Sequence, residues 1–431
     1  MKVSRQLLAI GLPAMVENLL QMLMGMVDSY LVAILGLAAV SGVSVANNVT
    51  AVYQAIFIAL GAAVSSAYSA RRSQQGGKKA QALIGEALLL TLFLGLVLGL
   101  FSLFFGEGLL SFLGTTPQVS RQGGLYLAIV GGGIVFLGLM TTAGSVVRSQ
   151  GKPQLPMYVS LLSNLMNALL ASVAIFVCHW GIMGVAFATV ISRAVGFALL
   201  VGAMRYDWKS LVLSWRIDKE LVHLALPAAG ERLMMRVGDI AIVAIVVTFG
   251  TKMVAGNAIG ETLTQFNYMP GMGLATATVI LAARARGVGD MASETKLLKK
   301  AYFLSLLLMA IVSGAIFVFG QPLTLLYTMD QEAVSASLVV ILYSFLGTPA
   351  TAGTLVMTAM WQGLGNAKLP FYATTFGMWV IRIGLGVVLG IGLSWGLAGV
   401  WLATIADNVF RWAFLTYLYR KKVRKTRKSL A

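Results

Sequence analysis

Apolar runs long enough to cross a membrane follow one another along the whole chain. Hydrophobic residues make up 58% of the 431 positions and charged residues only 11%. About 20 apolar residues in a helix span a hydrocarbon core of roughly 30 Å. The pattern predicts an all-α polytopic membrane protein with twelve transmembrane helices, placed near residues 7–34, 42–70, 81–105, 123–147, 155–178, 182–204, 221–249, 254–282, 299–320, 333–360, 370–393 and 397–419.

The distribution of basic residues predicts the orientation of these helices. The net charge is +17, and most of the 32 lysines and arginines fall in loops on the side of both termini. The only lysine or arginine residues predicted in loops on the opposite side are Arg121 and Lys252. Since cytoplasmic loops are enriched in Lys and Arg, we expect a multi-pass protein of the cytoplasmic membrane with both termini in the cytoplasm. The charge then requires no nucleic acid, and the basic tail at 420–431 either anchors the topology or contacts anionic lipid.

The residues that usually carry enzyme or metal chemistry are scarce. Cys178 is the single cysteine, so neither a disulfide framework nor a multi-cysteine metal site can form. His179 and His223 lie far apart and show no ligand spacing, and the sequence has no HExxH motif. We therefore expect no enzyme activity, no cofactor and no metal site. The first apolar run leads directly into a repeated segment, so no cleavable signal is expected.

An internal repeat divides the chain into two halves. A shift of 214 residues aligns many identical residues, among them Leu12/Leu226, Pro13/Pro227, Glu17/Glu231, Gly36/Gly250, Gly151/Gly365 and Pro156/Pro370. Because each half has six helices, the halves share one orientation and predict two lobes related by a pseudo-two-fold axis along the membrane normal, with a cavity between them. The predicted domains are 1–204, a cytoplasmic linker at 205–220, 221–419 and the basic tail.

One carboxylate in the N-terminal half has no evident cationic partner. Asp28 lies deep within the first helix, whereas Glu17 is expected to pair with Arg193 or Arg5. Ionisable residues within membrane helices are functional candidates by default. Since burial favours the neutral form of an unpaired carboxylate, Asp28 is expected to take up and release protons, unless it is a capped or water-bridged structural residue.

The C-terminal half balances its charges within the spans. Arg236 and Asp239 are three residues apart and Asp407 and Arg411 four apart, so each pair can form on one helix face. The candidate network comprises Glu231, Arg236, Asp239, Arg382, Asp407 and Arg411. It is either a neutralised structural network or a site that binds substrate or protons.

Polar, aromatic and thioether side chains within the spans suggest a pocket for amphipathic cations. Ordinary helix packing is the alternative for each one. The candidate cavity residues are Met24, Asn48, Tyr53, Gln54, Asn164, Glu261, Gln265, Tyr268 and Trp361.

Three segments together resemble the MATE (multidrug and toxic compound extrusion) family. They are LPAMVENLLQMLMGMVDSYLVAILG, its repeat LALPAAGERLMMRVGDIAIVAIVVTFGT, and GNAIGETLTQFNYMPG. The similarity covers nearly the whole chain and is strongest to the DinF-like branch. It implies a two-lobed bundle that exports organic cations and other drugs in exchange for H+ or Na+, in contact with membrane lipids. We expect a monomer.

The resemblance also implies roles for individual residues. Pro13 matches the proline at which the first helix bends, Asp28 the coupling aspartate, Asn167 the asparagine of the fifth helix and Thr189 the threonine of the sixth. Two family carboxylates are missing: Ala171 stands one turn after Asn167, and the tenth helix lacks the acid of the sodium-coupled branch. The resemblance therefore favours H+ over Na+. The alternative function is a flippase for a lipid-linked precursor from the same superfamily, with Arg232, Arg236 and Arg382 facing an anionic head group.

Overall fold

The computed structural model describes residues 2–75, 77–206 and 218–430, and every regular element within these ranges is helical. The elements are α1 (Lys2–Ala33), α2 (Leu37–Gln75), α3 (Gly77–Phe112), α4 (Pro117–Gly132), α5 (Ile134–Ser149), α6 (Gln154–Phe176), α7 (Gly181–Ala203), α8 (Lys219–Val247), α9 (Thr251–Val288), α10 (Met291–Val318), α11 (Gly320–Leu325), α12 (Gln331–Gly363), α13 (Lys368–Phe376), two π-helical segments (Gly377–Ile383 and Gly386–Gly392) and α14 (Gly396–Leu430).

The described helices account for all twelve predicted membrane spans. Eight are long and apolar enough to cross a membrane, and α4 and α5, bent by 42° at a short break, make a ninth span. The break falls at Gly133, where a Cβ atom would lie 2.7 Å from the Val190 side chain. The bend therefore coincides with a close approach to α7.

In the described part of the chain, the helices of the other three predicted spans, α8, α9 and α14, are not apolar enough to be identified as membrane spans by hydropathy alone. They contain most of the charged residues predicted for the C-terminal spans, such as Glu231, Glu261 and Asp407. A charge at the centre of a membrane helix costs several kcal/mol (~3) unless it is paired or hydrated. The lower hydropathy therefore marks helices whose charged groups face protein or water.

Close packing divides the chain into two compact units. The C-terminal unit consists of Met1–Met15 and Gly230–Ala431, and the N-terminal unit of Val16–Ala229. The start of α1 thus groups with the second half, because Gly11 packs against Leu274 of α9. The predicted domain boundaries remain predictions. Most of the predicted linker lies outside the described residues, and the basic tail continues α14 as a helix up to Leu430.

The two π-helical segments between α13 and α14 were not predicted. They bracket Gly384, and the first contains Arg382. A Cβ atom on Gly377 would clash with a carboxylate oxygen of Asp407, so glycine lets that carboxylate approach the backbone. Wide helical turns of this kind occur often at functional sites. They place Arg382 beside Asp407 in the charge network of the C-terminal unit.

Candidate functional site

Small residues bring α6 and α7 into close contact in the N-terminal unit. A Cβ atom on Gly184 would lie 2.5 Å from the Cβ of Ala174, and one on Gly196 would clash with the hydroxyl of Ser163. Between these two crossing points, Asn167 of α6 and Thr189 of α7 face each other, and both are buried.

The three residues predicted for ion coupling lie in one hydrogen-bonded chain. The Asn167 side-chain amide donates to both carboxylate oxygens of Asp28, with Nδ2–Oδ1 and Nδ2–Oδ2 distances of 2.9 and 3.2 Å. The Thr189 hydroxyl lies 3.4 Å from the Asn167 carbonyl oxygen. Asn167 is thereby fixed with its donor toward Asp28 and its acceptor toward Thr189. Their role in coupling remains a prediction.

Two further side chains complete this site. Arg193 lies one turn after Thr189 on α7 and within electrostatic range of Asp28. Tyr126 of α4 is buried beside Thr189. We call these five residues the Asp28 cluster: Asp28, Tyr126, Asn167, Thr189 and Arg193.

The pairing expected for Arg193 was wrong. Glu17 instead pairs with Arg148, with an Oε2–Nη1 distance of 2.5 Å. Arg148 lies at the end of α5, and Glu17 is the second residue of α1 within the N-terminal unit. The sequence suggested that Asp28 has no cation nearby. Because Glu17 pairs with Arg148, Arg193 is left near Asp28 and supplies that positive charge. The i,i+4 spacing of Thr189 and Arg193 is the signal that could have revealed this.

The candidate cavity residues of the N-terminal unit differ in exposure. Asn48 is exposed, and Met24, Gln54 and Asn164 are half-buried. Asn164 lies one turn before Asn167, and its amide nitrogen is buried without a hydrogen-bond partner in the described part of the chain. Tyr53, in contrast, is in a hydrophobic core, where its hydroxyl accepts a hydrogen bond from Ser102.

The predicted charge network of the C-terminal unit centres on Asp407. Its carboxylate is completely buried and contacts two guanidinium groups, Arg382 through Nη2 and Arg411 through Nε, each at 2.9 Å. Asp239 lies 3.6 Å from Arg382. We call these four residues the Asp407 network. The expected Asp407–Arg411 pair is present, whereas the ion-pair partner of Asp239 is Arg382 instead of the expected Arg236.

Glu231 is held by neutral groups. Its carboxylate accepts hydrogen bonds from the Thr374 hydroxyl at 3.1 Å and from the Gln362 amide at 3.3 Å. Thr374 also lies 3.4 Å from Arg411, so Glu231 adjoins the Asp407 network through one hydroxyl. Arg236 is exposed on α8.

The candidate cavity residues of the C-terminal unit lie mainly on α9. Glu261 and Gln265 are exposed one turn apart, Tyr268 is half-buried, and Asn257 donates to Glu261 at 3.1 Å. Trp361 was expected on the cavity wall, but it is buried in the hydrophobic core and its indole N–H donates to the Leu415 carbonyl at 3.2 Å. The Trp361 ring packs edge-to-face against Tyr419, so burial gives it an aromatic contact as well as a hydrogen-bond partner.

Comparison with known proteins identifies the family. The sequence profile of the MatE family matches residues 13–173 and again residues 227–388. The second match begins 214 residues after the first, which is the offset of the internal repeat. One family unit therefore occurs twice in this chain.

Relatives and solved structures cover nearly the full length. A probable multidrug resistance protein NorM of Thermotoga maritima is 28% identical over 427 residues, which cover 95% of this chain and 90% of that protein. The multidrug export protein MepA of Staphylococcus haemolyticus is 22% identical, with 97% and 94% covered. A variant of the Vibrio cholerae MATE transporter VcmN has the same fold, with a TM-score of 0.90 at 20% identity over 98% of both chains. Since the profile matches well over half of its residues, this polytopic membrane protein belongs to the MatE family of transporters and is not an enzyme.

Proposed function

We propose that the protein exports cationic and amphipathic toxic compounds from the cell by antiport with H+, and that Asp28 is the coupling residue. The observation that carries this proposal is the hydrogen bonding of the Asp28 carboxylate to Asn167 within a membrane span. Such an acid can be loaded and unloaded with a proton inside the bilayer. The names of the NorM and MepA relatives support drug export.

Protonation of Asp28 would change how it is held. The ionised carboxylate accepts two contacts from the Asn167 amide, and charge-assisted hydrogen bonds are stronger than neutral ones. A proton arriving from outside weakens this attachment, and loss of the proton to the cytoplasm restores it. Pro13, fifteen residues earlier, deprives the Ala9 carbonyl of its helical partner. We propose that α1 bends there when Asp28 is protonated.

Each unit offers groups suited to a cationic substrate. In the C-terminal unit, Asp239 and Glu261 are accessible carboxylates, with Gln265 and Tyr268 along α9. Carboxylates and aromatic faces both attract organic cations. In the N-terminal unit, we assign substrate contacts to Met24, Asn48, Gln54 and Asn164. A flexible thioether and polar amides can adapt to substrates of different shape.

A flippase for a lipid-linked precursor is the second candidate, and the exposure of Arg236 on α8 is the observation in its favour. A pyrophosphate head group would need several free guanidinium groups. Arg382 and Arg411 are instead engaged by Asp407. Drug export therefore has the stronger support. Accumulation of a lipid-linked precursor in the inner leaflet of a deletion strain would favour the flippase.

The proposed location is the cytoplasmic membrane with both termini in the cytoplasm, as the basic loops indicate. Efflux of a fluorescent organic cation from proteoliposomes under an imposed pH gradient, and then under an imposed Na+ gradient, tests the function directly. We expect efflux with the pH gradient alone. Efflux under neither gradient would refute the proposed function.

The variant Asp28→Asn tests the coupling residue. It preserves size and one acceptor oxygen for the Asn167 amide but cannot ionise, so we expect it to abolish drug-driven proton flux. The matched control is Asp290→Asn. Asp290 is exposed and caps α10 by accepting from Ser293 N at 2.9 Å, a role that asparagine fills equally well. Proton flux at the wild-type level in Asp28→Asn across a range of pH would show that the assignment is wrong.

A further inference from the structure

The Asp28 cluster contains a cation of its own. Arg193 follows Thr189 by four residues on α7, so both side chains lie on the same helix face. The face also carries the contact to Asn167 and hence to Asp28. With Asp28 ionised, Arg193 brings the charge of the cluster to zero.

Arg193 is held near Asp28 but not against it. Arg193 and Asp28 are within electrostatic range of each other, yet no ion pair within 4.0 Å joins them among the described residues. The Nη1 atom of Arg193 is buried and has no hydrogen-bond partner in the described part of the chain. An unsatisfied buried donor is costly. This arrangement suggests that Arg193 acts on Asp28 through its positive charge and not through a direct hydrogen bond.

Apart from Arg193, the groups around Asp28 provide few oxygen atoms, so a bound alkali cation would depend mainly on the Asp28 carboxylate. Asn167 turns its N–H donor, not its carbonyl oxygen, toward the carboxylate, and that oxygen faces Thr189. Ala171, one turn after Asn167, is completely buried and offers no ligand. Tyr126 supplies a hydroxyl from α4. A hard cation is held by several oxygen atoms at once, and here the groups that face Asp28 from α4, α6 and α7 include one guanidinium and no second carboxylate.

We propose that Arg193 determines the ion selectivity of this site by taking the place of a bound alkali cation, so that Asp28 exchanges protons and rejects Na+. The inference rests on the proposed coupling role of Asp28. Arg193 opposes both ions electrostatically, but their binding differs. A proton forms a covalent O–H bond and needs no ligand shell, whereas Na+ depends entirely on electrostatic attraction to oxygen atoms. The same repulsion therefore removes Na+ binding while proton binding persists.

Substitution of Arg193 tests this selectivity with a binding measurement that does not require transport. The thermal stability of purified protein in detergent is followed as NaCl replaces N-methyl-D-glucamine chloride at constant ionic strength. A ligand that binds the folded state raises the melting temperature with its concentration. We expect no specific Na+ effect in wild type or in Arg193→Lys, which keeps the charge. Arg193→Gln should gain a Na+-dependent rise in melting temperature that wild type lacks, because the charge that repels the ion is gone.

Two controls make the result specific. Arg121→Gln removes an exposed arginine near the start of α4, and this variant should show no Na+ response. The double variant Arg193→Gln/Asp28→Asn should lose the Na+ response, because the carboxylate that binds the ion is gone. If Arg193→Gln does not fold, Arg193→Met supplies the same test.

Either of two outcomes overturns the inference: no Na+ response in the charge-removing variants, or the same response in Arg193→Lys. Transport separates this failure from that of the proposed function. If wild type exports a cation under a pH gradient but Arg193→Gln gains no Na+ binding, only the role of Arg193 is refuted. If wild type exports nothing while Arg193→Gln binds Na+ through Asp28, the selectivity role holds and drug export is refuted.

Discussion

Replacing Asp407 by asparagine tests whether one carboxylate neutralises two buried arginines. In the wild type, Asp407 is completely buried, and the side chains of Arg382 and Arg411 are only 11% and 5% exposed. Breaking a buried ion pair by removing one partner costs about 3–5 kcal/mol, since the other charge remains buried and unpaired. Asp407→Asn removes the closest carboxylate from both guanidinium groups and leaves Arg382 only the looser contact with Asp239 at 3.6 Å, so we expect a loss at the upper end of this range.

The companion variant Arg411→Gln should cost less. It removes one guanidinium but leaves Asp407 in contact with Arg382 at 2.9 Å. What is lost is hydrogen bonding to a charged group, worth about 1.5–3 kcal/mol. The two variants should therefore differ by about 2 kcal/mol in the free energy of unfolding, or roughly thirtyfold in the folded-to-unfolded ratio.

Titration of the detergent-solubilised protein with sodium dodecyl sulfate, followed by tryptophan fluorescence, gives the required comparison. Asp407→Asn/Arg411→Gln should be more stable than Asp407→Asn alone, because the double variant removes one of the stranded charges. The exposed Asp290→Asn is the matched control and should unfold like wild type. A loss in Asp407→Asn no larger than that in Arg411→Gln would refute this account of the network.

Two further predictions concern residues outside the Asp28 cluster and the Asp407 network. Burial alone would raise the pKa of Asp218, but hydrogen bonds from Arg71 and from the first backbone amides of α8 hold that pKa below its usual value. Asp218→Ala should therefore destabilise the protein by about 1 kcal/mol at neutral pH. Because the contribution of a carboxylate with a lowered pKa is lost as the pH falls from its unfolded-state pKa to its folded-state pKa, the difference from wild type should begin to shrink as the pH falls below ~4, as measured by thermal unfolding. Trp361→Phe should lower the free energy of unfolding by about 1 kcal/mol through loss of the hydrogen bond to Leu415. The range of substrates in efflux assays should stay unchanged. A changed substrate range would show that Trp361 contacts substrate after all.

The architecture could be predicted because its signals are local or periodic. Apolar length predicted the spans, and the repeat predicted two equivalent sequence units that the family profile then matched separately. Long-range pairing was less accessible. Glu17 lies 131 residues from Arg148, and nothing in the sequence ranks this partner above Arg193. The π-helical turns around Arg382 depend on backbone hydrogen bonding that hydropathy does not report.

Trp361 and Tyr53 illustrate a second limit. Both are aromatic residues with a polar atom, so the sequence is equally consistent with a binding surface and with a core position that satisfies that atom. In the structure, a backbone carbonyl accepts from Trp361 and the Ser102 hydroxyl donates to Tyr53. These partners become apparent only once the helices are packed.

The two repeats use buried charge in different ways, and the difference suits different tasks. At equivalent positions, Glu17 forms an ion pair with Arg148, whereas Glu231 accepts hydrogen bonds from two neutral groups and has Arg232 and Arg411 within electrostatic range. Ile242 stands where the second repeat would mirror Asp28. Asp407 contacts two guanidinium groups at 2.9 Å, and Asp239 lies 3.6 Å from one of them. Asp28 accepts hydrogen bonds from one neutral amide, and Arg193 is near it without forming an ion pair in the described part of the chain. A carrier needs at least one site of this second kind, because a group that is too firmly paired cannot release its proton in each cycle.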